Sequence, residues 1–313
     1  MYQQCQDGRV RFGVMTLQAA PYPALAERWR RIEAMGFDSI WIADHSSARN
    51  PSVISYEAWS LLGAMASATK RVRFGPLVTP PTFRHPAMLA MQVATVDHLS
   101  GGRLELGLGA GGGPADAGYI GETALEPRGL IDRFEEYVAI LDRLLRGETV
   151  TLEGSHYKTS GAVVVPTIQQ PRPPFVIAAH GTRGLRLVAR YADTWNTLGG
   201  QPLLSVASDP VTLDQAIAAT RMQIAQLETA CEAIGRDPTS IRRSVLTYRT
   251  HVFSSADTFE DYVGRYQELG FDECIAYWPA QPGTYAPLPE HEAVMERVAA
   301  DVLPRHQVDS AKT

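Results

Sequence analysis

Cysteine is scarce: Cys5, Cys231 and Cys274 are the only three in 313 residues, too few and too widely spaced for a disulfide framework or a zinc knuckle. That scarcity suits a reducing compartment, and a cytoplasmic protein is expected. Met1 to Arg11 is polar and lacks the apolar centre of a secretion signal, and no later run reaches the length of a membrane span. The chain also lacks a basic run able to follow a phosphate backbone. Its 29 Lys and Arg against 34 Asp and Glu give a formal net charge of -5, which argues against nucleic acid as a partner. The paired histidines of HExxH, a carboxylate cluster at ligand spacing and the GxSxG elbow are all missing. Neither a catalytic metal nor serine hydrolysis is therefore expected.

What the chain does have is enough apolar sequence, 45%, to bury a large core, arranged as short β-rich runs that alternate with amphipathic stretches. Val10 to Thr16 precedes Ala24 to Met35; Ser39 to Ala43 precedes Tyr56 to Thr69; Val72 to Val78 precedes Pro86 to Leu99; Arg103 to Leu108 precedes Arg128 to Arg146. In the second half, Phe175 to Ala179 leads to Thr182–Tyr191, Thr194 to Thr197 to Thr212–Ile234, Ser244 to Phe253 to Thr258–Leu269, and Glu273 to Tyr277 to Glu290–Leu303. About eight strand–helix repeats with no dividing linker predict an α/β fold of the (β/α)8 TIM-barrel type. The expected single domain spans residues 10–304, with tails at 1–9 and 305–313. An open doubly wound sheet is the alternative, since sequence does not reveal strand order. Long connections at Gly111 to Pro127 and Gly199 to Pro210 follow strands and are expected to roof a pocket. A third, Gly147 to Pro174, reads as a small hairpin insertion.

Three strand exits carry candidate chemistry. Asp44-His45 follows the strand ending at Ala43, so both side chains should stand at the barrel mouth. An imidazole beside a carboxylate suits proton transfer near neutral pH; an N-cap Asp with a surface His is the plainer reading. Gly107-Leu-Gly109-Ala-Gly111-Gly-Gly113 resembles a phosphate loop, but Pro114 and a loop follow instead of a helix start. Such glycines still let a flat ring or an extended ligand approach the backbone. Ala178-Ala179-His180-Gly181-Thr182 joins a strand to a helix and could hold an anion on its free N–H groups, or be an ordinary cap at Thr182. Arg84, just before His85-Pro86, could bind an anion or pair with a neighbouring carboxylate.

In these segments the sequence resembles the bacterial luciferase-like flavin and deazaflavin oxidoreductases, over nearly the whole chain. The phrases are Glu33-Ala-Met-Gly-Phe-Asp38 with Trp41-Ile-Ala-Asp-His45; Arg71-Val-Arg-Phe-Gly75 through Pro86-Ala; Asp97-His-Leu-Ser-Gly-Gly-Arg103 with Leu106-Gly-Leu-Gly109; and Ala189-Arg-Tyr-Ala-Asp193-Thr-Trp195. Arg133-Phe-Glu-Glu-Tyr137, Gly154-Ser-His-Tyr157 and Gln170-Pro-Arg-Pro-Pro174 add the insertion and its return. Asp97 to Gly109 is the most specific of these runs.

The resemblance implies a barrel that holds coenzyme F420, or alternatively FMN, at the carboxyl ends of its strands and transfers a hydride to or from a small organic substrate. FMN-dependent oxygenation with O2, or a catalytically inactive flavin-binding module, are the alternatives. His45 then matches a histidine near the reactive ring, with Asp44 as its orienter. Leu77 and Val78 match a strand bulge behind the ring, often with a non-prolyl cis peptide. Ala110, Gly111, Ala178, Ala179, His180, Gly181 and Thr182 match segments lining the ring, side chain and phosphate, where Arg183 and His180 add positive charge. A homodimer is implied as well, together with a flavin reductase or F420-reducing enzyme as cofactor supplier. Sugar-phosphate dehydrogenases of the family carry an acidic residue and a tryptophan where this chain has Gly112 and Arg49, which disfavours that substrate.

Overall fold

The computed structural model describes residues 9–47, 55–111, 113–199, 212–247, 251–280 and 288–307. Its strands are β1 (Arg11–Thr16), β2 (Ser39–Ile42), β3 (Arg73–Pro76), β4 (Leu106–Leu108), β5 (Val150–Glu153), β6 (Lys158–Ala162), β7 (Phe175–Ala178), β8 (Thr194–Thr197), β9 (Arg242–Leu246) and β10 (Glu273–Tyr277). Eight of them form one sheet in the order β3-β2-β1-β10-β9-β8-β7-β4, with every pairing parallel. Parallel bridges Phe74 to Leu104 and Thr79 to Leu108 join the two ends. The sheet is a barrel, and the doubly wound alternative is excluded.

Helices α1 (Tyr22–Ala34), α2 (Ala58–Ala68), α3 (Pro86–Ser100), α5 (Pro127–Leu145), α6 (Thr182–Tyr191), α7 (Leu213–Glu232), α8 (Ala256–Gln267) and α9 (Pro289–Arg297) surround it. A short helix, α4 (Pro114–Tyr119), interrupts the expected loop after β4. A π-helical turn, Val298–Val302, carries the chain into α10 (Leu303–Gln307), so part of the expected C-terminal tail is helical. Residues 1–8 and 308–313 of the tails lie outside the described residues, as do residues 200–211 of the loop after β8. Strands β5 and β6 pair antiparallel as the expected hairpin. Among the described residues, no helix is long and apolar enough to cross a membrane.

Strand alternation separates two cores. Phe12, Val14, Ile40, Ile42, Phe74, Phe175 and Ile177 face the helices, whereas Met15, Trp41, Val176, Leu246 and Ile275 fill the barrel. Trp41 is fully buried, and room for its indole comes from glycine. A Cβ on Gly13 would lie 3.1 Å from the indole nitrogen, and one on Gly75 would lie 3.2 Å from the ring.

The amino ends of the strands close on a buried ionic cluster. Glu105, with no exposure, accepts from Arg11 at 3.0 Å and Arg73 at 2.5 Å, with Arg242 at 4.0 Å. Burial alone would raise its pKa, but the three guanidinium groups hold it well below the usual Glu range. Glu273 lies 3.6 Å from Arg11 and accepts from Ser39, whose own oxygen accepts from Trp41. Its carboxyl is pushed up by burial.

Candidate active site

At the carboxyl end, the seam between β3 and β4 decides the geometry. β3 leaves regular pairing after Pro76, and Leu77-Val78 is a cis peptide, as the resemblance implied. Pairing resumes through Thr79, which donates to the Gly107 carbonyl at 2.9 Å and accepts from Gly109 at 3.3 Å. The strands come so close that a Cβ on Gly107 would sit 1.8 Å from the Pro76 oxygen, and one on Gly109 would sit 2.5 Å from Val78. Strand packing therefore accounts for the first two glycines of the Gly-rich run. Ala110 is half-buried and Gly111 exposed at the mouth, and a Cβ on Gly111 would approach Pro80 and Thr82 at 2.9 and 3.2 Å.

Thr79 also fixes the neighbouring loop. Its hydroxyl accepts from Trp59 at 3.0 Å and donates to Asp44 at 2.8 Å. Arg84 donates to both oxygens of Asp44 and reaches Glu57 at 3.0 Å. Glu57 in turn caps α2 through the N–H groups of Trp59 and Ser60. Burial works against its charged form, yet these N–H groups and Arg84 keep its carboxyl below the usual range. The carboxylate oxygens of Asp44 are used on Thr79 and Arg84, so it ties the β2 exit to the β3 exit. Of the two roles open to Arg84, the structure shows pairing with carboxylates.

His45 is half-buried beside this pair. Its Nδ1 lies 3.2 Å from the Ser46 carbonyl. A carbonyl only accepts, so in that contact Nδ1 is the donor. Ser46 is anchored from across the mouth, because Asp116 accepts both its N–H, at 2.9 Å, and its hydroxyl, at 2.7 Å. Asp116 was missed in the sequence because α4 sits within what reads as loop. Pro114 at the first helical position and an acid in the first turn were the available signals.

The exit of β7 forms a third wall. Gly181 is the extended N-cap of α6; no side chain caps this helix, and its first turn has no acid. Among the described residues, a Cβ on Gly181 would meet nothing within 4 Å, so none of them blocks the approach to these N–H groups. Two charge expectations fail here. His180 has a buried Nδ1 with no partner, and burial lowers its pKa to about 4, so it is neutral at pH 7. Arg183 instead pairs with Asp132 at 2.5 Å and contacts the Arg128 carbonyl. Ala179 is turned into the core, its carbonyl accepting from Trp195 at 2.9 Å, while Ala178 stays half-buried and Thr182 exposed.

Among the described residues no group of three His, Cys, Asp or Glu is placed to hold a metal. The site thus offers an imidazole, a glycine-thinned wall and a helix end without a side-chain cap. A sequence model described as luciferase-like monooxygenase matches residues 9–292. The chain belongs to the luciferase-like monooxygenase family. Within that family, the F420-dependent glucose-6-phosphate dehydrogenase of Beutenbergia cavernae is 29% identical over 87% of this chain and 90% of its own. A phthiodiolone/phenolphthiodiolone dimycocerosates ketoreductase of Mycobacterium tuberculosis is 32% identical over 69% of this chain and 58% of its own. Among solved structures, an F420-dependent secondary alcohol dehydrogenase in complex with an F420-acetone adduct superposes with a TM-score of 0.77. Its identity is 18%, covering 96% of this chain and 100% of that one, a likeness of fold. Arg49 and Gly112, the two departures that bear on sugar-phosphate substrates, lie outside the described residues.

Proposed function

We propose that this chain is an F420-dependent oxidoreductase that moves a hydride between the deazaflavin and a small organic substrate. The uncapped end of α6 carries the reading. The first N–H groups of a helix hold partial positive charge and need acceptors, and a phosphate approaching over Gly181 would supply them without displacing any side chain. Leu77, Val78, Ala110, Gly111 and Ala178 would line the ring, with Gly181 and Thr182 at the phosphate. The partnerless Nδ1 of neutral His180 would take or give one hydrogen bond there.

When bound, the deazaflavin supplies or accepts the hydride, and carbon in place of a ring nitrogen makes it a hydride carrier where reduced FMN reacts with oxygen. The protein's share is positioning and proton transfer. The imidazole of His45 takes the proton released as a substrate hydroxyl is oxidised, or returns it as a carbonyl is reduced. Arg84 and Thr79 occupy the adjoining Asp44 carboxylate. FMN-dependent oxygenation is the alternative.

The test is titration of the purified chain with F420 and with FMN, for wild type, Gly181→Asp and the control Gly264→Asp, on a helix position equally free of neighbours. A carboxylate set against the phosphate at a cost of about 3 kcal/mol weakens binding by more than ~100-fold. Equal affinity of both variants for F420 would remove the phosphate from α6, and exclusive binding of FMN would replace the deazaflavin reading.

We also propose a homodimer through α2 and α3, with a separate F420-reducing enzyme, or a flavin reductase for FMN, renewing the reduced cofactor. The α2 sequence has no charged residue, and the Asp97 of α3 is buried. Met88, Met91 and Leu99 stand more than half exposed on α3, beside the small residues Ser60, Gly63, Ala64 and Ser67 of α2. A two-fold axis lets the ridge of one copy enter the groove of the other, and an uncharged face suits only another uncharged face. Met91→Glu should convert a dimer to monomer in sedimentation equilibrium; a wild type that is monomeric at micromolar concentration ends this proposal.

A further inference from the structure

Val78, where β3 leaves the barrel, is pinned on both sides. Leu77 before it donates its N–H to the Ile42 carbonyl at 2.7 Å, and Thr79 after it pairs through its main chain with Gly107 and Gly109. Leu77 and Thr79 are 7% and 0% exposed, whereas Val78 is half-buried and packs on the core inside the barrel. The Thr79 side chain adds a closed circuit of hydrogen bonds. The Trp59 indole donates to the Thr79 hydroxyl, which donates to Asp44. Arg84 donates to Asp44 and to Glu57, and Glu57 accepts the main-chain N–H of Trp59, where the circuit began. An indole N–H only donates, so the Thr79 oxygen accepts there and its single proton is left for Asp44. Two buried partners, Trp59 and Asp44, therefore fix the direction of that hydroxyl.

We propose that Thr79 is a positioning residue for the cofactor: its hydroxyl, by closing this circuit, holds Val78 in the place where it meets the deazaflavin ring. This rests on the reading of the mouth as an F420 site. Thr79 itself is buried and touches no reacting atom in this scheme. β2 and β4 flank β3 on opposite sides. At Thr79 the main chain is tied to the β4 side alone, and the hydroxyl supplies the opposing tie, to the β2 exit through Asp44 and to the start of α2 through Trp59. With both ties in place the residue next to Val78 has no direction left in which to shift.

The test uses the full chain and separates the hydroxyl from the shape of the side chain. Thr79→Val keeps the branched side chain and the main-chain bonds and removes only the hydroxyl; Thr79→Ser keeps the hydroxyl. F420 affinity is measured by titration for wild type and both variants. The Trp59 indole N–H, assigned by the signal lost in Trp59→Phe, is followed beside this in 1H–15N spectra without cofactor. In Thr79→Val the indole proton should move upfield as its acceptor is lost. The exit then relaxes to re-pair the indole and Asp44, and drawing it back should weaken F420 binding about tenfold or more. Thr79→Ser should keep the indole signal near its wild-type position and bind within about threefold of wild type. A general loss of stability would not be rescued by a smaller side chain that restores only the oxygen. A folded Thr79→Val that binds F420 as wild type does overturns the proposal, and so does a Thr79→Ser that binds no better than Thr79→Val. Should Thr79→Val fail to fold, Trp59→Phe, which frees the hydroxyl to turn, must weaken F420 binding at least about threefold, and unchanged affinity there overturns it equally. A wild type that binds no F420 removes the reading of the mouth as an F420 site and the positioning role with it. Full affinity in every variant of a wild type that does bind leaves that reading standing and removes this one alone.

Discussion

Replacing Gly107 with Ala tests the claim that the glycines after β4 serve strand packing before they serve any ligand. The added methyl would lie 1.8 Å from the Pro76 carbonyl oxygen and 3.0 Å from its carbon. Ordinary contact begins near 3.4 Å, so the seam must open by about 1.6 Å, and the obstacle is backbone, which cannot turn aside as a side chain can. Such an opening breaks the hydrogen bonds that Thr79 makes to Gly107 and Gly109. Losing two buried backbone bonds at about 1–3 kcal/mol each, with overpacking of similar size, gives roughly 5 kcal/mol. An unfolding entropy of about 2.1 cal/mol/K per residue over 313 residues is about 0.7 kcal/mol/K. The melting temperature should therefore fall by about 7 °C. Gly264→Ala, in α8 with nothing within 4 Å of the new methyl, should match or slightly exceed wild type, because Ala favours helix over Gly by up to ~1 kcal/mol. Thermal melts followed by far-UV circular dichroism decide the matter. A Gly107→Ala protein that melts within about 2 °C of wild type would refute the packing account and return these glycines to the ligand.

Glu105→Gln leaves Arg11, Arg73 and Arg242 without their shared carboxylate, and at about 3–5 kcal/mol for breaking a buried pair the melting temperature should fall by about 4–7 °C. The pH dependence has a definite sign. A Glu105 carboxyl held below its ordinary range contributes stability that is present above the unfolded pKa and lost as pH falls, so acid melts should cost wild type more than Glu105→Gln. Glu273, raised by burial, acts oppositely, its contribution fading as pH rises through its folded pKa. Arg84→Lys should recover less than half of the stability lost in Arg84→Ala, since one ammonium cannot serve both Asp44 oxygens and Glu57 together; full recovery in chemical denaturation would mean that charge alone matters there.

Much of the barrel was legible because the period of apolar residues changes from strand to helix and back. Thr182–Tyr191, Thr194–Thr197 and Glu273–Tyr277 coincide with the expected runs. The β3 run reads to Val78, but its ladder ends at Pro76, just ahead of the cis peptide at Leu77-Val78; apolar composition does not record where pairing stops. The resemblance found the region of the site better than the partners within it. Adjacent in sequence, Asp44 and His45 read as a pair, yet the Asp44 carboxylate is held by Thr79 and Arg84 and Nδ1 of His45 meets the Ser46 carbonyl. The most specific phrase, Asp97 to Gly109, turned out to be largely scaffold. Asp97 accepts from the N–H groups of Ile168 and Gln169 and secures the return of the insertion, while Arg103 holds the Ala66 and Thr69 carbonyls at the end of α2.

β3 shows how these two kinds of constraint meet in one strand. Its first residue, Arg73, is bound to Glu105 at the amino end of the barrel, and the chain leaves it through Thr79, which is bound to Asp44 at the mouth. Between them Gly75 and Pro76 are pressed against Glu105 and Gly107 of the neighbouring segment. A change at the amino end should therefore lower the melting temperature with little effect on cofactor affinity, because the carboxyl end keeps its own ties through Thr79, Arg84 and Asp116. A change at the seam should lower both, since the packing that closes the barrel there also sets the position of the loops carrying Asp44 and His45. Comparing F420 affinity with melting temperature for Glu105→Gln and Gly107→Ala separates these outcomes. Equal loss of affinity in the two variants would mean that the barrel transmits strain along its whole length and that the division between a stabilising end and a functional end does not hold for this chain.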